Sequence, residues 1–145
     1  MIKPELVRRK ISLIQDDLVK LTQLSHFSLQ EIVSDFTRQA AVERILERII
    51  SRAIDINEHI IAEQADSSLA APKNYRDTFL ALAKLQIYAE DFAQGIAKSV
   101  GTRNLLVHEY DTIDYEKVYQ SIEDCLKDYH SYIEAILRYL QKNTI

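Results

Sequence analysis

Arg103, Asn104, His108 and Tyr110 fall within one stretch, Arg103-Asn104-Leu105-Leu106-Val107-His108-Glu109-Tyr110. On a helical wheel of about 100° per residue with Arg103 at 0°, Asn104 falls at about 100°, His108 at about 140° and Tyr110 at about −20°. Leu105 and Leu106 fall on the other side, at about 200° and 300°. One arc therefore gathers a guanidinium, an amide, an imidazole and a phenol, with Val107 the one apolar residue among them, while two leucines anchor the reverse face.

Such a group suits cleavage of a phosphodiester that carries its own nucleophile, the 2′-hydroxyl of RNA. That reaction needs a proton moved and negative charge neutralised at phosphorus. Imidazole, with a reference pKa of about 6.5, takes or gives the proton near neutral pH. Arginine supplies a permanent, planar charge matched to phosphate oxygens. Asn104, one turn from His108, can orient the imidazole or bond a phosphate oxygen. No step calls for a metal ion. One His and one Arg make a sparse site, however. A second proton carrier and more positive charge are available if two copies meet across a two-fold axis, so a homodimer is expected from chemical need.

These residues need a helix to hold them, and the rest of the chain reads as helical. It has 145 residues with two Gly and two Pro, and those two residue types cost about 1 and 3 kcal/mol inside a helix. Pro4 suits a first helical position. Val7, Ile11, Ile14, Leu18 and Leu21 then repeat at steps of four and three, an apolar stripe. Ser25-His26-Phe27 breaks it, and Ser28-Leu29-Gln30-Glu31 has the form of a capping box. A long helix is predicted over about Asp35–Ala65, with Val42, Ile45, Ile49, Ile56 and Ile60 on its apolar face and Arg38, Glu43, Glu47, Arg48 and Arg52 on the others.

Residues 66–73 read as a loop. Asn74 then caps a helix carrying Phe79, Leu80, Leu82, Ala83 and Ile87, and another runs from about Ala89 into the His108 region. Asp111-Thr112-Ile113-Asp114 is a second break, with Asp114 capping a last helix that carries Val118, Ile122, Leu126, Tyr129, Ile133, Ile136 and Leu140. No period-two alternation marks a strand. The expectation is an all-α, antiparallel bundle of four or five helices, as a single domain over residues 1–145.

A formal net charge of −4 excludes binding of nucleic acid by bulk basicity. Any action on RNA must rest on a local basic site, on an assembled dimer or on a partner. No run approaches the ~20 apolar residues of a membrane span. The lone Cys125 precludes an internal disulfide, which favours a reducing cytoplasm.

Other candidates read more plainly as structure. Asp55, His59 and Glu63 share a helical face, but one helix supplies too few ligands for a metal, so an ion-paired or solvated face is expected. Cys125 sits beside an apolar seam and reads as a buried small hydrophobe. Tyr119, Tyr129, Tyr132 and Tyr139 on the last helix are packing residues rather than a base-stacking surface. His26 and His130 have no companion pattern, and Arg8-Arg9-Lys10 reads as a solvated helix face.

The string from Arg103 to Tyr110 resembles the R-x4-H-x-Y signature of HepT-like toxins in the HEPN superfamily. The likeness extends to the charged helix around Arg38–His59, to Asn74-Tyr75-Arg76-Asp77, to Gly101 and to Asp114-Tyr115-x-x-Val118. It implies a five-helix, dimeric HEPN-like fold and a metal-independent endoribonuclease that uses no cofactor. Arg103 and His108 would be its catalytic pair, supported by Asn104, with tRNA or mRNA as substrate. It also implies a partner, an antitoxin of the minimal nucleotidyltransferase type in a type VII-like toxin–antitoxin pair, which silences the toxin by AMPylation of Tyr110. The alternative within the same superfamily is a non-catalytic module that binds a nucleotide or serves as the helical subunit of a nucleotidyltransferase complex.

Overall fold

A computed structural model describes residues 3–64, 70–108 and 113–143, with His108 placed by its backbone alone. These residues form seven helices and no strand: α1 (Pro4–Leu24), α2 (Leu29–Val33), α3 (Phe36–Glu63), α4 (Tyr75–Lys84), α5 (Glu90–Ala97), α6 (Ser99–His108) and α7 (Tyr115–Asn143).

Local side-chain chemistry starts several of them. Ser28 and Glu31 form the expected capping box, the Glu31 N–H donating to Ser28 Oγ at 3.1 Å and the Ser28 N–H to Glu31 Oε1 at 3.0 Å. Asp35 caps α3 by accepting from the N–H groups of Thr37 and Arg38. Asn74 caps α4, and Asp114 caps α7 through the N–H groups of Glu116 and Lys117.

Two helix ends differ from expectation. The helix after Asn74 stops at Lys84 rather than running through Ile87. Gln86 takes the left-handed conformation, φ 62°. Its N–H donates to Ala83 O, and that of Ile87 to Leu82 O. This is a Schellman closure made without the usual glycine, which is why no sequence signal announced it. The helix expected from Ala89 to His108 is divided at Lys98. There Ser99 Oγ donates to Ile96 O at 2.7 Å, a hydroxyl competing with the backbone ladder. The same hydroxyl bonds Tyr129 Oη on α7, so the bend is also a tertiary joint.

α3 is the central strut. Lys3, Lys10 and Asp17 on the α1 side meet His59, Asp55 and Arg48 in turn, so α1 runs antiparallel to α3. Tyr115 shares a small cavity with Gln39 and Glu43, and Tyr132 bonds Ala53 and Asn57, so α7 runs in the same direction as α3. The apolar stripes read from sequence form the core: Val7, Ile11, Ile14 and Leu21 from α1, Val42, Ile49, Ile56 and Ile60 from α3, and Val118, Ile122, Ile133, Ile136 and Leu140 from α7. Asp55 and His59 are engaged by α1, in keeping with an ion-paired face.

The tyrosines of α7 are packing residues. Tyr129 and Tyr132 are fully buried and meet Phe79 of α4 edge to face, at 6.5 and 6.0 Å between ring centroids. Their hydroxyls bond Ser99, Ala53 and Asn57, so they are satisfied inside the protein rather than by water. Tyr119 donates to Phe27 O and ties α7 to the turn after α1.

Arg48 and Arg52 are not merely solvent-facing. Both converge on Asp17, a fully buried carboxylate of α1. Arg48 donates from Nε and Nη2 at 3.2 and 2.8 Å, and Arg52 from Nη1 at 2.8 Å. A buried carboxylate is tolerable only with such compensation. The Asp17→Ala variant is expected to lose about 3 kcal/mol, the lower end for breaking a buried pair, because Arg48 and Arg52 stay 33% and 23% exposed. That corresponds to a fall in Tm of roughly 10 °C in a circular-dichroism melt at fixed protein concentration. Asp55→Ala, removing the exposed bridge to Lys10, should cost under about 1 kcal/mol.

Candidate functional site

α6 carries the described part of the motif, residues 103–107, with the backbone of His108. Leu105 and Leu106 are partly buried and pack on the core, with Val100 buried one turn earlier. Arg103 is half-buried and Asn104 exposed. His108 is the last described residue of α6. Its side chain, and Tyr110 as a whole, lie outside the described residues, so the convergence of the four motif side chains stays an expectation from the sequence.

Arg103 is held on two sides. Its Nε donates to Ser51 Oγ of α3 at 2.9 Å. Its guanidinium carbon lies 4.9 Å from the centroid of the Tyr75 ring, at the start of α4, within reach of a cation–π attraction. Among the described residues Ser51 is its only hydrogen-bond partner, so the terminal amino groups remain for a further acceptor.

Tyr75 is positioned in turn by a buried polar chain. Tyr132 Oη donates to Asn57 Oδ1, and Asn57 Nδ2 donates to Thr78 Oγ1 at 3.1 Å. The Thr78 hydroxyl donates to the backbone carbonyl of Tyr75 at 2.6 Å. Asn57 and Thr78 are both buried, so their polar groups must be satisfied internally. The chain links α7, α3 and the first turn of α4, and fixes the backbone from which the Tyr75 ring projects.

Beside this pair lies a cleft of about 480 Å³ lined by Lys73, Asn74, Tyr75, Arg76, Val100 and Asn104. Gly101 of α6 lies close to one of the lining side chains: a Cβ there would stand 3.5 Å from Arg76 Nη2. The Arg76 guanidinium thus lies against α6 at Gly101. Ser51, Tyr75, Arg76 and Lys73 were not singled out as functional from the sequence. For Ser51 no signal exists. Tyr75 and Arg76 belong to the Asn74-Tyr75-Arg76-Asp77 string.

A second cavity, of about 230 Å³, lies between α3, α5–α6 and α7 and is lined in part by Ser99, Thr102, Asp124, Cys125 and Asp128. Cys125 is buried. Burial, then the nearby Asp128 and Asp124 carboxylates, push its thiol well above the ordinary range. A thiol so raised holds almost no thiolate at neutral pH, so Cys125 is the small buried hydrophobe expected. His130 is exposed, 3.2 Å from Glu134, and His26 is exposed in the turn after α1.

The arrangement has known counterparts. A chain of a toxin–antitoxin crystal structure with AMP-PNP superposes with a TM-score of 0.81 at 27% identity, over 92% of this chain and 98% of that one. The tri-AMPylated HEPN toxin of Shewanella oneidensis, solved in complex with MNT antitoxin, superposes with a TM-score of 0.79 at 28% identity, over 91% of this chain and 96% of that one. The fold is the helical fold of HEPN toxins. The sequence profile of the family described as ribonuclease HepT-like matches residues 14–136, and the chain belongs to that family. A relative from Aphanizomenon flos-aquae, named tRNA nuclease HepT, is 38% identical over 96% of this chain and 92% of its own length. Another, named mRNA nuclease HepT, from Shewanella oneidensis, is 28% identical over 91% of this chain and 96% of its own length.

The Ser51 contact predicts a specific phenotype. A hydrogen bond to a charged group contributes about 1.5–3 kcal/mol, so Ser51→Ala is expected to slow RNA cleavage by roughly tenfold or more with far-UV ellipticity unchanged. Ser51→Thr, which keeps the hydroxyl, should retain most of the rate in a gel-based cleavage assay.

Proposed function

We propose that this chain is the toxin of a toxin–antitoxin pair and cleaves RNA as a metal-independent endoribonuclease, with Arg103 and His108 as its catalytic pair. The observation that carries the reading is Arg103: fixed through Nε to Ser51 and over Tyr75, beside a cleft lined by Lys73, Arg76 and Asn104.

In this reading the scissile phosphate sits against the Arg103 amino groups, which neutralise the charge growing on its non-bridging oxygens. His108 takes the proton of the 2′-hydroxyl or returns one to the departing 5′-oxygen. Phosphorus exchanges its bond to the 5′-oxygen for one to the 2′-oxygen, so the nucleophile comes from the substrate. Asn104 orients the imidazole or the phosphate. Two protomers facing one groove supply the second proton carrier, which makes the working form a homodimer. Their paired basic clefts also provide the local positive charge that a chain of net charge −4 lacks overall.

The antitoxin in this account is a minimal nucleotidyltransferase, and its target is Tyr110. The phenol oxygen attacks the α-phosphorus of ATP and pyrophosphate leaves. The AMP group then places bulk and negative charge beside Arg103, where like charge excludes the RNA phosphate. The Shewanella oneidensis toxin with three AMP groups, in complex with MNT antitoxin, supports this reading, as do the two nuclease relatives. The cytoplasm is where such a pair would act. No helix among the described residues is long and apolar enough to cross a membrane.

Two experiments test the reading. Purified protein with EDTA should cut tRNA or mRNA, and His108→Ala and Arg103→Ala should each lower the rate by at least about 100-fold while keeping helicity and dimer mass. Full activity in both variants would move the chemistry elsewhere. Incubated with ATP and the cognate nucleotidyltransferase, the wild type should gain the mass of one or more AMP units and lose activity. Tyr110→Phe should gain none, and a Tyr110→Phe protein modified to the same extent would remove Tyr110 from the account.

A further inference from the structure

The cleft beside Arg103 carries more charge than the catalytic pair requires. Lys73 and Arg76 are both exposed and line it together with Tyr75 and Asn104. Among the described residues neither side chain pairs with a carboxylate. The four arginines of α3 differ: Arg38 pairs with Asp35, Arg44 with Glu47, and Arg48 and Arg52 with Asp17. The nearest acid in sequence, Asp77, accepts from the backbone N–H of Lys73 at 3.0 Å, so it serves the helix start.

Gly101 bears on the same point. It lies in a helix and its φ is not positive, so the backbone does not require glycine there. A Cβ there would meet Arg76 Nη2 at 3.5 Å, an ordinary van der Waals contact, so the distance reports where Arg76 lies: close against α6. Arg76 shares the cleft with Asn104, the residue next to Arg103. Tyr75 joins the two places, its ring supporting Arg103 while it remains 41% exposed in the cleft wall.

We propose that Arg76, with Lys73 beside it, binds an RNA phosphate neighbouring the scissile one, and that the open part of the Tyr75 ring stacks the attached base. The proposal rests on the ribonuclease reading and adds the residues that hold the strand in register. Guanidinium and ammonium groups on a backbone phosphate, with an aromatic ring under a base, are the ordinary elements of single-strand binding without sequence preference. The cleft therefore contributes affinity and placement of the strand beside Arg103.

The test separates binding from chemistry. Arg76→Gln and Lys73→Gln are assayed for cleavage of a fluorescent single-stranded RNA that the wild type cuts. The same RNA is then titrated by anisotropy against each substitution in a His108→Ala background. Expected for Arg76→Gln is a KM about tenfold higher with kcat within about twofold, a Kd weakened to match, and a slope of log Kd against log salt reduced by about 0.7. Arg76→Lys should recover part of the loss. Lys20→Gln, on an exposed position of α1, removes the same charge elsewhere and should change nothing.

Unchanged KM, Kd and salt slope in both cleft variants, with wild-type cleavage intact, overturn the cleft assignment alone, whatever happens to antitoxin binding. A fall in kcat at constant KM also overturns it, since that places Arg76 in the chemistry. A wild type that neither binds nor cuts RNA defeats the ribonuclease reading and this proposal with it.

Discussion

A guanidinium at the end of a flexible side chain carries about 2 kcal/mol of rotamer entropy, and a phosphate that captures it must overcome that freedom. Here much of the ordering is done in advance. Arg103 is bonded through Nε to Ser51 and rests over the Tyr75 ring, contacts that come from two different helices. The amino groups that would meet a phosphate are not those committed to the scaffold. Preorganised charge of this kind needs no reorganisation as negative charge develops. α6 itself is short, so the arginine depends on α3 and α4 to define its place.

Those two helices are fixed by buried polar contacts that the apolar stripes alone could not provide. The chain from Tyr132 through Asn57 and Thr78 to the Tyr75 carbonyl sets the first turn of α4 against α3. Asp17, gripped by Arg48 and Arg52, sets α1 against the other side of α3. Core side chains interdigitate at crystal-like density, and a buried hydrogen bond is lost within about an ångström. The polar contacts therefore reinforce the register that packing sets, and that register brings Ser51 and Tyr75 to Arg103.

What the sequence made legible follows from the range of the interactions involved. Capping at Ser28, Asn74 and Asp114 could be read because each side chain bonds an amide two or three residues on. The stripes of α1, α3 and α7 could be read because burial repeats with the helix period. The close of α4 at Gln86 and the bend at Ser99 could not. The first uses a residue with no left-handed preference, and the second depends on Tyr129, 30 residues away. Likewise Asp17 meets Arg48 across 31 residues and Ser51 meets Arg103 across 52, pairings that no local pattern encodes. Of the site itself, the spacing of Arg103, Asn104 and His108 suggested a chemistry, while the contacts that steady Arg103 and the residues lining the cleft beside it became visible only in the fold.

The central claim is that a steadied guanidinium and an imidazole act on one phosphate. The direct test is a crystal structure of the wild-type protein with a substrate RNA bearing a 2′-O-methyl group at the cleaved nucleotide. The account predicts Arg103 amino groups about 3 Å from a non-bridging oxygen of that phosphate with the Ser51 bond intact, and a His108 ring nitrogen within about 3 Å of the 2′- or 5′-oxygen. A scissile phosphate seated away from Arg103, or a His108 ring turned from both oxygens in each protomer, would contradict it.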